Sequence, residues 1–239
     1  MTQFALSAQD IVAVRQQRRV LDGIDLCLIP GQVASIEGAS GVGKSTLLHI
    51  LAGLLTQDAG NVSIAGCALE TLAPRERAQR LAIAQQTPVL PAELSVLELV
   101  RLGRLPHKVP GTGVLNWFWQ ESEFDAEPID RALTAVGLRS LAARTLGSLS
   151  GGEQRRAHLA RVLAQETPLL LLDEPTTHLD QVTAHQLMKE LQHRAEQGTA
   201  ILMVTHDADW VSRYCDHELR LENGRLSALQ RPNQRKISR

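Results

Sequence analysis

One run of residues carries a spacing that chemistry explains: Gly38-Ala39-Ser40-Gly41-Val42-Gly43-Lys44-Ser45, followed by Thr46. A G-x-x-x-x-G-K-S pattern that follows an apolar strand and opens a helix is the pattern of a loop that wraps phosphate. Its glycines let backbone N–H groups turn inward around phosphate oxygens, and the helix start adds partial positive charge. Lys44 then reaches the β- and γ-phosphates, and the Ser45 hydroxyl can ligate Mg²⁺. Further along, Leu169-Leu170-Leu171-Leu172 ends in two adjacent carboxylates, Asp173 and Glu174. A buried strand ending beside a phosphate loop presents its first acid to the metal. The next acid can face a water aligned on the γ-phosphate. Asp173 therefore reads as a metal residue and Glu174 as a general base. Ser150, Gly151 and Gly152 open another helix and make a second cluster of exposed N–H groups suited to phosphate. One chain cannot wrap both clusters round a single γ-phosphate.

These residues need strands and helices to hold them. Leu6–Val14, Gly23–Leu28, Val33–Glu37, Val62–Ala65, Leu81–Ala84, Leu169–Leu172 and Ala200–Val204 read as strands, several of them continuously apolar. Lys44–Leu55, Gly151–Ala164 and Gln181–Glu196 read as helices. From Ser95 to about Ala143 the pattern is helical, interrupted by the loop Pro106–Gly113. Buried strands alternating with helices predict an α/β fold with a parallel sheet and an inserted helical region.

The chain has 239 residues, 44% hydrophobic and 21% charged, with a formal net charge of −1. That is enough apolar material for a large core, which excludes a disordered chain. Apolar runs such as Leu169–Leu172 stop at a charge long before the ~18 residues a membrane span needs. The first ten residues carry no basic segment followed by an apolar one, so no signal peptide is read. Near-zero net charge argues against a dominant nucleic-acid surface. Cys27, Cys67 and Cys215 are far apart and lack a C-x-x-C spacing, as expected of structural thiols in a reducing cytoplasm.

Phosphate loop, Leu149-Ser150-Gly151-Gly152-Glu153 and acidic strand, in that order, resemble the ATP-binding cassette (ABC) family. The likeness runs from about Leu6 to Arg225. It implies a P-loop NTPase core with a parallel central sheet, an N-terminal antiparallel β region and an inserted helical subdomain. The expected division is a single cassette over 1–239, with a catalytic core at about 1–86 and 160–228. A helical subdomain at about 87–159 carries the signature, and 229–239 is a tail. The resemblance implies ATP and Mg²⁺ as ligands and a head-to-tail dimer in which each Ser150–Gly152 cluster caps the nucleotide held by the other copy. Gln86 matches the glutamine that contacts Mg²⁺ or the lytic water and links to the helical subdomain; neighbouring Gln85 competes for the position, and the motif alignment favours Gln86. Asp180 in Leu179-Asp180 matches an aspartate at the dimer interface, and His206 matches a histidine that contacts the γ-phosphate. The family's adenine-stacking aromatic is replaced here by Arg15, whose planar guanidinium either stacks on the base or is a solvated strand-end charge.

The run Ser95–His107, with Gly103-Arg104-Leu105-Pro106-His107, resembles ATPase subunits of importers for iron–siderophore, haem and vitamin B12. That likeness implies integral membrane permease subunits as partners, indirectly an extracytoplasmic solute-binding protein, and a place on the cytoplasmic face of a bacterial inner membrane. The phosphate-loop region resembles exporters and lipoprotein-release systems as much. A soluble non-transport ATPase of the family is the weaker alternative, since such members carry a coiled-coil insertion or two cassettes and this sequence shows neither. Trp117, Phe118, Trp119 and Phe124 either pack the helical core or receive a permease helix. Arg231–Arg239 reads as a solvated tail or as a contact for anionic lipid.

Overall fold

The computed structural model describes residues 4–85, 91–108 and 123–229. Gln86, the Trp117–Trp119 cluster and the Arg231–Arg239 tail lie outside the described residues, as does the side chain of Phe124.

The first half opens with an antiparallel sheet. Strand β1 (Leu6–Arg15) pairs with β2 (Arg18–Leu28), in register from Leu6↔Leu28 to Arg15↔Arg18. β2 begins five residues before the strand read from sequence. The charged stretch Arg18–Asp22 looks like a turn, yet the turn itself is Gln16-Gln17, both left-handed at φ 50° and 62°. That handedness matches the twist of a two-residue hairpin and needs no glycine signal, though it strains two glutamines. Between β2 and the next antiparallel strand comes β3 (Val33–Glu37), the first strand of the second sheet. Then β4 (Ala59–Ile64) joins the other side of β1, and the short β5 (Cys67–Ala68) completes the order β2-β1-β4-β5.

The second sheet holds six strands among the described residues. β6 (Leu81–Ala84), β7 (Leu169–Asp173), β8 (Ala200–Val204) and β9 (His217–Glu222) run parallel with β3, and β10 (Arg225–Ala228) turns back antiparallel on β9. Their order is β10-β9-β3-β8-β7-β6, so β3, β8 and β7 are neighbours although far apart in the chain. The β9–β10 hairpin turns at Asn223-Gly224, both at positive φ. Neither strand was read from the sequence, although Asn-Gly between alternating residues is a strong hairpin signal.

Seven helices flank the sheets among the described residues: α1 (Lys44–Leu51), α2 (Pro74–Arg80), α3 (Val96–Leu102), α4 (Glu123–Ala135), α5 (Gly151–Ala164), α6 (Gln181–Glu196) and α7 (Ala208–Tyr214). The expectation that α1 continues to Leu55 is corrected. Gly53 sits at φ 68°, its N–H donates to Ile50 O, and the Leu54 N–H donates to His49 O. That pair of bonds closes a Schellman motif and ends the helix. Leu54 and Leu55 are consequently 48% and 38% exposed rather than part of an apolar face.

The central sheet lies between two cores, and its strands alternate between them as a period of two requires. Leu170 and Leu172 face one core with Leu133, Val136, Leu163 and Leu187 from the helices, while Leu169 and Leu171 face the other with Leu47, Leu51 and the antiparallel sheet. Each buried leucine contributes about 1.5–3 kcal/mol of transfer free energy. α5 runs unbroken through residues 159–160 and packs on α3, α4 and β6 together. The helical region and the sheet thus share one rigid helix.

Candidate functional site

At the carboxyl end of β3 the chain turns through residues 38–43 into α1. Gly38 takes φ 155°, and a Cβ there would collide with the Leu221 carbonyl oxygen of β9. Only glycine lets the loop pass under that strand. Gly43, at φ 116°, is the N-cap of α1 and supplies no side-chain cap. The first N–H groups of α1 are therefore left for an anion. Lys44 is 7% exposed and its ammonium donates to Gly38 O at 2.6 Å and Ala39 O at 2.9 Å, spanning the inside of the loop. Burial lowers its pKa, while the nearby Glu174 and Asp173 carboxylates raise it.

β7 delivers the two acids. Asp173 is 8% exposed, and its Oδ2 accepts from the Ser45 hydroxyl at 2.7 Å. Burial pushes the Asp173 carboxyl up, and the Ser45 hydrogen bond pulls the other way. A buried carboxylate and a hydroxyl in contact are hard oxygen donors of the kind Mg²⁺ takes in company with phosphate oxygens. No three His, Cys, Asp or Glu side chains cluster as a metal cage among the described residues. Glu174 stands one residue past the strand at φ 50°, with its N–H donating to Val204 O at 2.9 Å. A left-handed non-glycine residue costs of order 1–3 kcal/mol and marks a constrained position. Its Oε2 accepts from Thr177 Oγ1 at 3.3 Å, and its Oε1 lies 3.6 Å from His206 Nε2. His206 follows β8 and is half exposed.

Lys44, Ser45, Asp173, Glu174 and His206 therefore meet at the carboxyl ends of β3, β7 and β8, where open parallel sheets bind ligands. The grouping can hold a phosphate chain, a divalent ion beside it, and a carboxylate poised for a proton.

Other sequence-selected residues lie elsewhere. Ser150 caps α5 in a closed box: its Oγ accepts from Glu153 N–H, and Glu153 Oε2 accepts from the Ser150 N–H and hydroxyl. Gly151 has open space where a Cβ would be, and a Cβ on Gly152 would meet the His178 Cβ in ordinary contact. Asp180 caps α6, accepting from Thr183 N–H at 2.9 Å and Thr183 Oγ1 at 2.7 Å, bonds that lower its pKa. No hydrogen bond or ion pair joins Ser150, Gly151, Gly152 or Asp180 to residues 38–46 among the described residues. The Arg15 guanidinium donates to Thr56 O at 2.8 Å and Val14 O at 2.7 Å, and stands 3.4 Å from Asp58. These contacts hold the guanidinium at the strand end beside the turn that carries Thr56 and Asp58.

The run Gly103–His107 is explained by packing. A Cβ on Gly103 would collide with the Arg161 carbonyl. Arg104 donates to Ala164 O at 2.7 Å and to Glu166 at 3.0 Å, and His107 Nε2 lies 2.6 Å from Gln165 O, so the ring donates there. Pro106 O accepts from Arg75 and Gln79 of α2. Gln165 in turn donates to Ala78 O and Leu81 O. The run straps the end of α5 to α2, and Gln165 carries the strap on to the start of β6. Sequence reading also missed the Glu37–Arg220 ion pair at the base of the phosphate loop, which no local signal announces.

Comparison with known proteins adds to this geometry. The family described as "ABC transporter" matches residues 21–177. The chain is 41% identical over 232 residues to the hemin import ATP-binding protein HmuV of Pseudomonas putida, covering 95% of this chain and 87% of that one. It is 39% identical over 218 residues to the Bacillus subtilis protein named "Probable siderophore transport system ATP-binding protein YusV", covering 90% and 76%. Among solved structures, a dimeric post-hydrolysis ATP-binding cassette bound to ADP and Pi aligns at TM-score 0.80 and 26% identity, over 94% of this chain and 99% of that one.

Proposed function

Because the chain belongs to the ABC transporter family, we propose that it is the ATP-hydrolysing subunit of an importer for a metal chelate or cobalamin-like solute. Two copies work beneath integral membrane permease subunits, on the cytoplasmic face of a bacterial inner membrane, with an extracytoplasmic solute-binding protein delivering the solute. No described helix is long and apolar enough to cross a membrane. The proposed division remains a core at about 1–86 and 160–228, a helical subdomain at about 87–159 and a tail at 229–239.

The observation that supports this most is the meeting of Lys44, Ser45, Asp173, Glu174 and His206 at adjacent strand ends. In this reading Gly38, Ala39, Ser40, Gly41, Val42, Gly43 and Thr46 wrap the phosphates of ATP, and Lys44 exchanges its two loop carbonyls for β- and γ-phosphate oxygens. Ser45 and Asp173 would hold Mg²⁺, with Gln86 reaching it from the segment after β6; their hard oxygens fit that ion. Bound Mg²⁺ supplies charge neutralisation on the phosphate oxygens. Glu174 takes the proton of the attacking water, and His206 bonds the γ-phosphate while its contact with Glu174 keeps that carboxylate aimed. Ser150, Gly151 and Gly152 face the nucleotide of the second copy, and Asp180 lies at the same interface. The open space at Gly151 supports this, since nothing among the described residues requires a glycine there. ATP bridges both copies, ADP does not, and the dimer is therefore a two-state element that hydrolysis resets.

The test is uptake. Cells carrying the chain with its permease would be offered haem, an iron–siderophore and cobalamin in turn, beside cells carrying Lys44→Ala. Uptake of one of them that depends on Lys44 supports the reading. No Lys44-dependent uptake of any, with ATPase intact in the purified complex, refutes the importer assignment.

A further inference from the structure

One buried side chain in α5 has no part in that reading. His158 is 4% exposed, on the face of the helix that packs against β6. Its Nε2 lies 3.3 Å from the backbone nitrogen of Gln85. A backbone amide can only donate, so the ring accepts at Nε2, carries its proton on Nδ1 and is neutral. Burial, reinforced by Arg161, pushes the imidazole down to about 4, which agrees with that tautomer. Nδ1 is buried with no hydrogen-bond partner among the described residues. The ring helps line a cleft shared with Gln85, Arg156, Asp173, Glu174 and Thr177.

Packing alone does not explain a histidine here. An apolar side chain of similar size would fill the space without burying an unpaired N–H, which costs stability. What histidine adds is an acceptor at a fixed place. The ladder between β6 and β7 ends at Ala84↔Leu172. Gln85 is the first residue past it, and its N–H is the last backbone donor described before Gln86. His158 lies two turns along α5 from Gly151, on the same rigid helix.

We propose that His158 is a positioning residue for ATP hydrolysis: its neutral imidazole joins the signature helix to the backbone that leads into Gln86, so that movement of α5 and placement of Gln86 are coupled. This rests on the reading of Gln86 as a residue that faces the nucleotide. Ser150–Gly152 at the start of α5 and Gln86 beyond β6 then sense the same event through one hydrogen bond.

The test uses the chain assembled with its permease and three variants: His158→Leu, which removes the acceptor; His158→Gln, which keeps one; and Gln86→Ala. Exchange of the Gln85 amide, melting temperature, kcat and KM for ATP are measured on each. In His158→Leu the Gln85 amide should exchange about tenfold faster and kcat should fall about fivefold or more, with KM within about twofold. His158→Gln should regain most of the kcat. Unchanged exchange and kcat in His158→Leu would overturn the proposal, and so would a loss that His158→Gln shares in full alongside a lowered melting temperature. A wild-type kcat in Gln86→Ala would overturn the coupling from its other end, and would identify the Gln86 assignment as the part that failed.

Discussion

Acid should destabilise this protein in part through His158, because the folded chain refuses a proton that the unfolded chain accepts. The ordinary imidazole pKa is 6.5, and burial between α5 and β6 lowers it to about 4. Between those values the unfolded state binds more protons, so stability is fully present above pH 6.5 and falls as the pH drops towards 4. At 1.36 kcal/mol per pH unit the whole window is worth about 3 kcal/mol, and about 2 kcal/mol of it is spent by pH 5. Asp173, Glu174, Arg155, Arg156 and Arg161 face or adjoin the same cleft. The comparison that isolates the ring is therefore wild type against His158→Gln, which removes the imidazole and leaves those groups in place. Urea unfolding of the purified subunit at pH 7.5, 6 and 5 would give the difference in stability between the two at each pH. The wild type should lose about 2 kcal/mol relative to His158→Gln between pH 7.5 and 5. Parallel pH profiles would show that the imidazole takes up its proton in the folded state, and the buried neutral ring would be refuted.

Three further outcomes follow from single contacts. Gly103→Ala drives a methyl group into the Arg161 carbonyl and should cost about 1–3 kcal/mol, read as a lowered melting temperature of the isolated subunit. Gly151→Ala meets open space and should leave that melting temperature unchanged, yet it should impair ATP-driven dimer formation measured by sedimentation; full dimerisation would remove the partner-facing role of the signature. Lys44→Met deletes the ammonium that spans the phosphate loop and should weaken ATP binding on the order of 10–100-fold by calorimetry.

Much of the scaffold was legible because local and long-range demands agree. The bounds read for β3, β6, β8, α5 and α6 coincide with those observed, since continuous apolar strands and capped helices announce their own ends. Where the two demands part, the reading failed. Leu54 and Leu55 suit an apolar helix face, but Gly53 turns the chain first. Arg18–Asp22 is too charged to look like a strand, yet it lies on a sheet edge where one face is wet. The short α2 and α7 and the β9–β10 hairpin passed unnoticed because each is brief beside its flanking loops.

The candidate site divides in the same way. Motif spacing singled out Lys44, Ser45, Asp173 and Glu174, the family resemblance added His206, and the sheet order places β3, β8 and β7 side by side so that they meet. Contacts between residues with no shared motif stayed hidden. Arg15 finds Asp58 across a turn, Glu37 finds Arg220 across neighbouring strands, and His158 finds Gln85 across a helix–sheet junction. The Gly103–His107 run pointed to a branch of the family through its letters, whereas its physical work is to strap the end of α5 to α2.

In the proposed reading Glu174 takes the water's proton while ATP holds two copies together. Glu174→Gln keeps the shape of the side chain and removes its basicity, so the two functions should separate. Sedimentation of the purified variant with Mg²⁺ and ATP, with phosphate release followed in the same sample, tests this most directly. The variant should form a stable dimer in ATP and a monomer in ADP, with turnover reduced on the order of 10²–10⁴ relative to wild type. A variant that hydrolyses ATP at close to the wild-type rate, or that stays monomeric with ATP bound, would contradict it.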